Sequence, residues 1–361
     1  MSKQNELVQF SRGASGGGSK NIIINGAMTI DQRNSGAALT PTSTYYHKTL
    51  DRWIANFSQA SKLIVQQNAG SVTPPAGFKN YIGATQTGST YTQTTNDAFS
   101  FNQYIEGNNI AHLDWGLSTA KNLILSFWVR SNVTGTYGAY IANSATNRIF
   151  VNSYTIDAAN TWEKKSVSIT GDTTGTWLTT NAVGMQFGLV FGAGSGRQTA
   201  PNAYNASADY APTNQANILG TSGGYFYLTG VQLEVNDTAT DFEVENYGTT
   251  LAKCQRYYFS LGGDAAYERG AVGYNFSTTL SRCSTHFPTT MRAAPSTSIS
   301  GALYVAKAGS EVSVTSASND NSSRHVGHMG YSVSSGLTAG DGATIFWNNN
   351  TTARIMFDAE L

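Results

Sequence analysis

The sequence predicts an all-β protein: an antiparallel jelly-roll sandwich followed by a second, smaller β-sandwich domain, with a flexible N-terminal arm ahead of both. Three observations carry this. Apolar and polar residues alternate over many short segments, the period of a strand with one buried face. No segment keeps a 3.6-residue apolar period for three turns, so helices are not expected to build the core. Gly, Ser, Thr and Asn number 37, 37, 43 and 30 in 361 residues, while charged residues make up only 12%. A chain of that polarity would read as disordered were it poor in aromatics, but 16 Phe, 19 Tyr and 6 Trp supply a core.

Residues 1–20 read as the arm. Leu7, Val8 and Phe10 form a short apolar cluster beside Arg12, and the Gly/Ser-rich text that follows has the composition of a flexible linker. An apolar cluster ahead of a linker has little use within one globule. Leu7, Val8, Phe10 and Arg12 are therefore expected to anchor the chain to another subunit or another protein. The opening residues lack the apolar core of a signal peptide, and no run of 18 apolar residues exists. Membrane insertion is not expected, and assembly in a cytoplasm is.

Residues 21–247 read as the jelly roll. Leu123, Leu125, Phe127 and Val129 share one face of a strand. Met185–Phe191 and Tyr225–Val235 alternate in the same way, and shorter candidates lie at 62–67, 99–106, 137–142, 148–155 and 164–170. Turn-rich text such as Gly171–Gly175 separates them. Gly83–Asp97 and Gly192–Gly224 read as strand-free, and loops of that length in a compact domain are usually functional or disordered.

Residues 248–361 read as the second β unit. Its candidate strands are Tyr257–Leu261, Ala271–Phe276, Thr278–Phe287, Ser296–Ser300, Ala302–Ala306, Glu311–Ser316, His325–Val333, Ala343–Trp347 and Ala353–Phe357. Thr249–Arg256 fits one short helical turn at the junction. No fixed-period repeat appears, which argues against a solenoid or propeller.

Lys plus Arg equals Asp plus Glu, 22 each, so the net charge is zero. That balance gives no support for a nucleic-acid partner, which needs a basic surface. Cys254 and Cys283 fit neither a disulfide framework nor a metal ribbon, so buried free thiols are expected.

Particular residues add what composition cannot. Asn21–Gly26 with Asp31-Gln32-Arg33 and Leu50-Asp51-Arg52-Trp53, Phe226–Glu234 (FYLTGVQLE) with Ala239–Glu243, Leu251–Tyr258 (LAKCQRYY), Phe287–Pro295 (FPTTMRAAP) and the terminal Asp358-Ala359-Glu360-Leu361 occur in this order. Together they resemble the motifs of phage and prophage tail-fibre proteins. The resemblance covers residues 21–361. It implies a virion appendage built from a carbohydrate-binding-module-like jelly roll and a C-terminal β domain. It implies a homotrimer, other virion proteins bound through the arm, and a host-surface polysaccharide as ligand. The arm lies directly before the jelly roll, without a fibre shaft, so a head fibre or tail adaptor is the alternative.

Sugar recognition needs flat aromatic faces together with amide and hydroxyl groups. The 192–224 segment supplies Arg197, Tyr204, Asn205 and Tyr210, and Trp177 lies in a nearby Thr-rich turn. These five are the expected glycan contacts, with packing at a trimer interface as the alternative. Jelly rolls of this type often hold calcium through oxygen ligands, for which Asn25, Asp31 and Glu234 are the available donors. His325 and His328 could meet their symmetry copies on a trimer axis. No other cofactor is expected.

Catalysis has little support. Polysaccharide hydrolysis needs two carboxylates flanking the bond. The densest acids, Asp237, Asp241, Glu243 and Glu245, follow the last jelly-roll strand and read as a connector. Gly13–Gly17 fits Gly-X-Ser-X-Gly but lies in the arm, not between a strand and a helix. The expectation is a non-enzymatic binding protein, with a polysaccharide depolymerase as the weakest alternative.

Overall fold

The computed structural model describes residues 19–361 apart from Asp264 and Ala308. The arm residues Leu7, Val8, Phe10 and Arg12 lie outside the described residues.

The chain first forms β1 (His47–Lys48), β2 (Ile54–Phe57), β3 (Leu63–Gln67), β4 (Ile82–Gln86), β5 (Ala98–Glu106), β6 (Leu123–Ser131) and β7 (Gly135–Asn143). It continues with β8 (Ile149–Ile156), β9 (Glu163–Ile169), β10 (Val183–Ala193), β11 (Gln198–Thr199), β12 (Ala203–Asn205), β13 (Ala211–Pro212) and β14 (Tyr225–Glu234). A seven-stranded sheet runs β1-β2-β5-β10-β7-β8-β12, and a five-stranded sheet runs β3-β4-β14-β6-β9. Every pairing within these two sheets is antiparallel.

Strand alternation explains the core. Phe187, Leu189 and Phe191 of β10, Phe99 and Phe101 of β5, and Leu125, Phe127 and Val129 of β6 are fully buried and belong to one cluster. Each such side chain contributes about 1.5–3 kcal/mol relative to exposure. Gly230 interrupts β14 at a register shift, with φ at 62°. A side chain is strained at that φ, and the ring of Phe78 occupies the space a Cβ would need.

Two loop assignments change. β4 extends into Gly83–Asp97 as far as Gln86, and the 192–224 segment carries β11, β12, β13 and two 3-10 turns. That segment folds back over the outer face of the seven-stranded sheet. Ala211 and Tyr210 pack there on Tyr140, Ile149, Val151 and Val190.

Helix α1 (Tyr247–Gln255) follows, longer than the single turn expected. Then come β15 (Tyr258–Leu261), β16 (Arg269–Asn275), β17 (Leu280–His286), β18 (Ser296–Ser300) and β19 (Tyr304–Lys307). The chain ends with β20 (Ser310–Asn319), β21 (Val326–Val333), β22 (Gly342–Phe346) and β23 (Arg354–Asp358). The sandwich expected for 248–361 takes the form of a closed barrel, β16-β17-β21-β20-β19-β22, beside a three-stranded sheet, β15-β23-β18. Closure removes free sheet edges. Trp347, Ile345, Ile355 and Phe357 are buried in this unit's own core. Both cysteines are free and buried, and burial pushes the Cys283 thiol up to about 11. Among the described residues no helix is long and apolar enough to cross a membrane.

The motif residues singled out in the sequence converge where the two units meet. Arg33 donates to Asp358 at 2.8 Å and to Glu360 at 3.0 Å, and lies 3.8 Å over the Tyr258 ring. Arg52 pairs with Glu360 and lies 3.6 Å over the Tyr257 ring. Arg256 donates twice to Glu106, at 2.9 and 2.6 Å, and the Tyr257 hydroxyl donates to the same carboxylate at 2.9 Å. Arg292 donates to the Ala359 carbonyl at 2.8 Å. The DRW, CQRYY, MRAAP and DAEL residues thus form one joint between the jelly roll and the barrel unit.

Candidate functional site

The site begins with a missing side chain. β10 lies centrally in the seven-stranded sheet, and its outer face carries Gln186, Gly188 and Val190. Gly188 sits opposite Asn102 of β5 and Tyr140 of β7. A Cβ on Gly188 would lie 2.3 Å from the Tyr140 ring, so only glycine lets that ring lie across the strand. The Asn102 side-chain N–H then donates to the Tyr140 hydroxyl at 2.6 Å. One step along, Tyr104 sits opposite Gln186, and on the other side Ser100 faces Val190 and Asn56.

Two walls rise from this floor. On one side Tyr46 lies 6.1 Å from Tyr104, ring centre to ring centre, with Tyr45 beside it. Both tyrosines have positive φ, 57° and 56°. Such backbone costs about 1–3 kcal/mol per residue and clusters at ligand sites. The Tyr45 N–H, which donates to the Phe57 carbonyl at 2.8 Å, helps hold it. On the other side Tyr210 packs 5.0 Å from Tyr140. Arg197 stands beside it, donating to the carbonyls of Ala208 at 3.1 Å and Asn96 at 3.3 Å. The enclosed cleft holds about 170 Å³.

Burial pushes the phenols of Tyr104, Tyr140 and Tyr210 above their ordinary range, so they stay protonated at neutral pH. Among the described residues no carboxylate lines the cleft. The surface therefore offers aromatic faces, amides, hydroxyls and one guanidinium, and no general acid or base pair.

The five expected contacts divide. Arg197 and Tyr210 line the cleft. Tyr204 packs 5.0 Å from Phe150 with its hydroxyl donating to the Thr170 carbonyl at 2.7 Å. Asn205 donates to the Asp209 carbonyl at 3.4 Å within its own loop. Trp177 is 7% exposed and meets Trp115 edge-on at 4.5 Å. Its indole N–H donates to Asp172 at 3.1 Å, and Asp172 also holds Arg148. Trp177 is a core residue.

Sequence reasoning missed Tyr45, Tyr46, Tyr104, Tyr140 and Gln186. A signal for the strand residues existed. Ser100, Asn102 and Tyr104 occupy the outward phase of β5, an amide- and tyrosine-bearing row on a sheet face.

The expected calcium set is not assembled. The Asn25 side-chain oxygen accepts from the N–H groups of Thr29 and Ile30 at 2.8 and 3.0 Å. The Asp31 oxygens accept from the N–H groups of Asn34 and Gly36 at 3.0 and 2.7 Å. Glu234 accepts from Gln232 and Thr240. Each is used within its own turn, and no group of three His, Cys, Asp or Glu suited to a metal occurs among the described residues. His328 Nδ1 lies 2.7 Å from the Ser284 hydroxyl and His325 Nδ1 3.3 Å from that of Thr290, so different partners hold the two rings. Of the connector acids, Glu243 accepts from the Asn21 N–H at 2.9 Å, and Glu245 pairs with Lys253.

No protein-family model matches this chain, and no curated protein matches it. Among solved structures it is similar to the enzymatically active domain of bacteriophage CBA120 tailspike protein 4, at 12% identity and TM-score 0.32. That likeness covers 60% of this chain and 22% of the tailspike chain, so this chain matches about a fifth of that protein. It is similar to TmCBM61 in complex with beta-1,4-galactotriose, at 10% identity and TM-score 0.32, over 60% of this chain and 100% of that one. It is also similar to the family 11 carbohydrate-binding module from Clostridium thermocellum, at 13% identity and TM-score 0.27, over 55% and 97%. Likenesses this distant carry no functional argument, and the fold rests on the strand order.

Proposed function

We propose that this chain is a non-catalytic glycan-binding appendage of a virion, and that the tyrosine cleft takes a sugar of the host surface. One observation carries the reading: Tyr46, Tyr104, Tyr140 and Tyr210 gather around amides in a cleft without a carboxylate. Aromatic rings cover the apolar faces of a sugar, while amides and hydroxyls meet its hydroxyl groups. Hydrolysis would need paired acids, which argues against a depolymerase at this cleft.

The virion context rests on the tail-fibre-like motifs. In that context the chain forms a homotrimer whose Leu7, Val8, Phe10 and Arg12 anchor it to other virion proteins. Several copies convert weak sugar contacts into avidity.

The test is a printed panel of neutral and acidic glycans, probed with the full chain and with Tyr104→Ala and Tyr210→Ala. Binding to glycans of either class that both variants lose supports the reading. Absence of binding by correctly folded protein, or binding that both variants keep, overturns it.

A further inference from the structure

We infer that the tyrosine cleft selects an acidic sugar, and that Arg197 receives its carboxylate. This rests on the cleft reading above and names the class of glycan that the cleft takes.

Among the described residues Arg197 is the one charged side chain that lines the cleft. Backbone hydrogen bonds fix its place. Its N–H donates to the Gly194 carbonyl at 3.0 Å, and its carbonyl accepts from the Tyr210 N–H at 3.0 Å. The N–H groups of Gly194 and Gly196 donate to the carbonyls of Asp97 and Thr95, each at 2.9 Å, and so hold the turn itself. The half-buried side chain is fixed as well, by the Asn96 and Ala208 carbonyls that accept from Nε and Nη1. Those two bonds orient the guanidinium without neutralising it. A guanidinium carries five N–H donors. Less these two, three have no protein acceptor among the described residues.

Nothing nearby balances the charge. No ion pair among the described residues includes Arg197. Two acids stand next in sequence to lining residues, and both turn elsewhere. The Asp97 carboxylate accepts from the side chains of Ser58, Gln59 and Tyr91 and from the Thr94 N–H. The Asp209 carboxylate accepts from the Ser207 hydroxyl. The charge is felt inside the cleft. Burial raises the Tyr210 phenol, and Arg197 is the largest influence opposing that rise, ahead of the weaker push from Asp209.

A sugar that packs on Tyr210 takes water away from this guanidinium. A neutral sugar would leave the charge covered and unpaired, which is costly. A carboxylate meets the planar fork with two parallel hydrogen bonds and cancels the charge. The fork is oriented before the ligand arrives, so little freedom is lost on binding.

The test uses ligands that differ only at the acid. The full chain would be titrated with oligogalacturonate, oligoglucuronate and sialyllactose, each against its own methyl ester, and with sulfated galacto-oligosaccharides as a second kind of anion. Arg197→Gln, Arg197→Lys and Tyr104→Ala would be titrated alongside. At least one free acid should bind about ten- to a hundredfold more tightly than its ester, the range of a hydrogen bond to a charged group. Added salt should narrow that gap. Arg197→Gln should bring the acid down to the affinity of the ester, and Arg197→Lys should keep part of the preference. The ester comparison needs no variant, so it decides the matter even where Arg197→Gln fails to fold. Equal affinity for acid and ester, a preference for sulfate over carboxylate, or an acid preference that survives Arg197→Gln overturns the inference. In each of those cases, loss of binding in Tyr104→Ala keeps the cleft reading standing. Binding of no glycan, acid or ester, by folded protein overturns both.

Discussion

The Arg52 guanidinium lies 3.6 Å over the Tyr257 ring and pairs with the Glu360 carboxylate, so a turn of the jelly roll grips both ends of the barrel unit. The two charged side chains are 1% and 2% exposed. Breaking a buried pair by removing one partner costs about 3–5 kcal/mol, because the other charge is left uncompensated. Glu360→Ala should lower unfolding stability by that amount. The double variant Arg52→Met, Glu360→Leu should lose much less, since it buries no lone charge. Denaturant unfolding of both proteins checks this. A loss under about 1 kcal/mol in the single variant would show that the pair does not hold the joint.

Gly188 gives a separable prediction for the cleft. Gly188→Val forces the Tyr140 ring off the strand, since even a Cβ would meet it at 2.3 Å. Glycan affinity should fall at least about tenfold, the equivalent of ~1.4 kcal/mol. Tyr140→Phe is gentler. It keeps the ring and removes the acceptor of the buried Asn102 amide, which should cost about 1–3 kcal/mol of stability. Isothermal titration and melting curves on the same preparations separate the two effects. Unchanged affinity in Gly188→Val would remove the Tyr140 ring from the site.

The sheets were legible because Leu123, Leu125, Phe127 and Val129, or Phe187, Leu189 and Phe191, write their period in large residues. β4 was not. Its Gly83 and Ala84 are small, and the Tyr227 ring packs where a Gly83 Cβ would lie, so the mass that fills this site belongs to a strand distant in sequence. Half of the cleft was hidden for a similar reason. Arg197 and Tyr210 stood out in a polar loop, but Tyr104 and Tyr140 read as strand interior until the sheet register set them around Gly188. Trp177 misled because a Thr-rich turn looks exposed, whereas Asp172 and Arg148 draw it inward. The DRW, CQRYY, MRAAP and DAEL residues were plain in the sequence, yet they mark the joint between units and not the tyrosine cleft. Only the fold could show that Arg33, Arg52, Tyr257 and Glu360 meet.

Asp97 ties down the segment whose neighbours Asn96 and Ala98 line the tyrosine cleft. Its carboxylate accepts from the hydroxyls of Ser58 and Tyr91 and the Gln59 amide, each at 2.8 Å, and from the Thr94 N–H at 2.7 Å. Burial alone would raise its pKa, but these hydrogen bonds hold it below the ordinary 3.8. A depressed carboxyl contributes stability that is present above its unfolded value and lost as pH falls through its folded value. Asp97→Asn should therefore destabilise by about 1–3 kcal/mol at neutral pH. The difference from wild type should shrink below about pH 4 and vanish at lower pH. Paired denaturant titrations across that range test it. A gap that persists undiminished in strong acid would remove the ionised carboxylate from the account.

Asp51 should act in the opposite direction. It is 1% exposed and accepts from the Gln32 backbone N–H at 3.1 Å and from the Gln32 side chain. Burial is the largest influence and raises its pKa from 3.8 to about 6, against the opposing pull of Gln32 and Arg33. Neighbouring Asp31 is raised as well, also by burial. Between pH 4 and 6 the folded state then holds a proton that the unfolded chain has released, so stability falls as pH rises through that window. Acidifying from pH 7 to pH 5 should strengthen the protein, by on the order of 1 kcal/mol, since about one pH unit of that interval lies below the folded value at about 1.4 kcal/mol per unit. Below about pH 4 the gain should reverse, as Asp97, Glu106 and Asp358, all depressed, begin to protonate. Asp51→Asn keeps a neutral acceptor for Gln32 and should remove most of the rise between pH 7 and 5. Denaturant midpoints at the two pH values, in wild type and variant, decide the matter. Equal slopes in both proteins would mean that Asp51 is ionised throughout and that burial does not govern its charge.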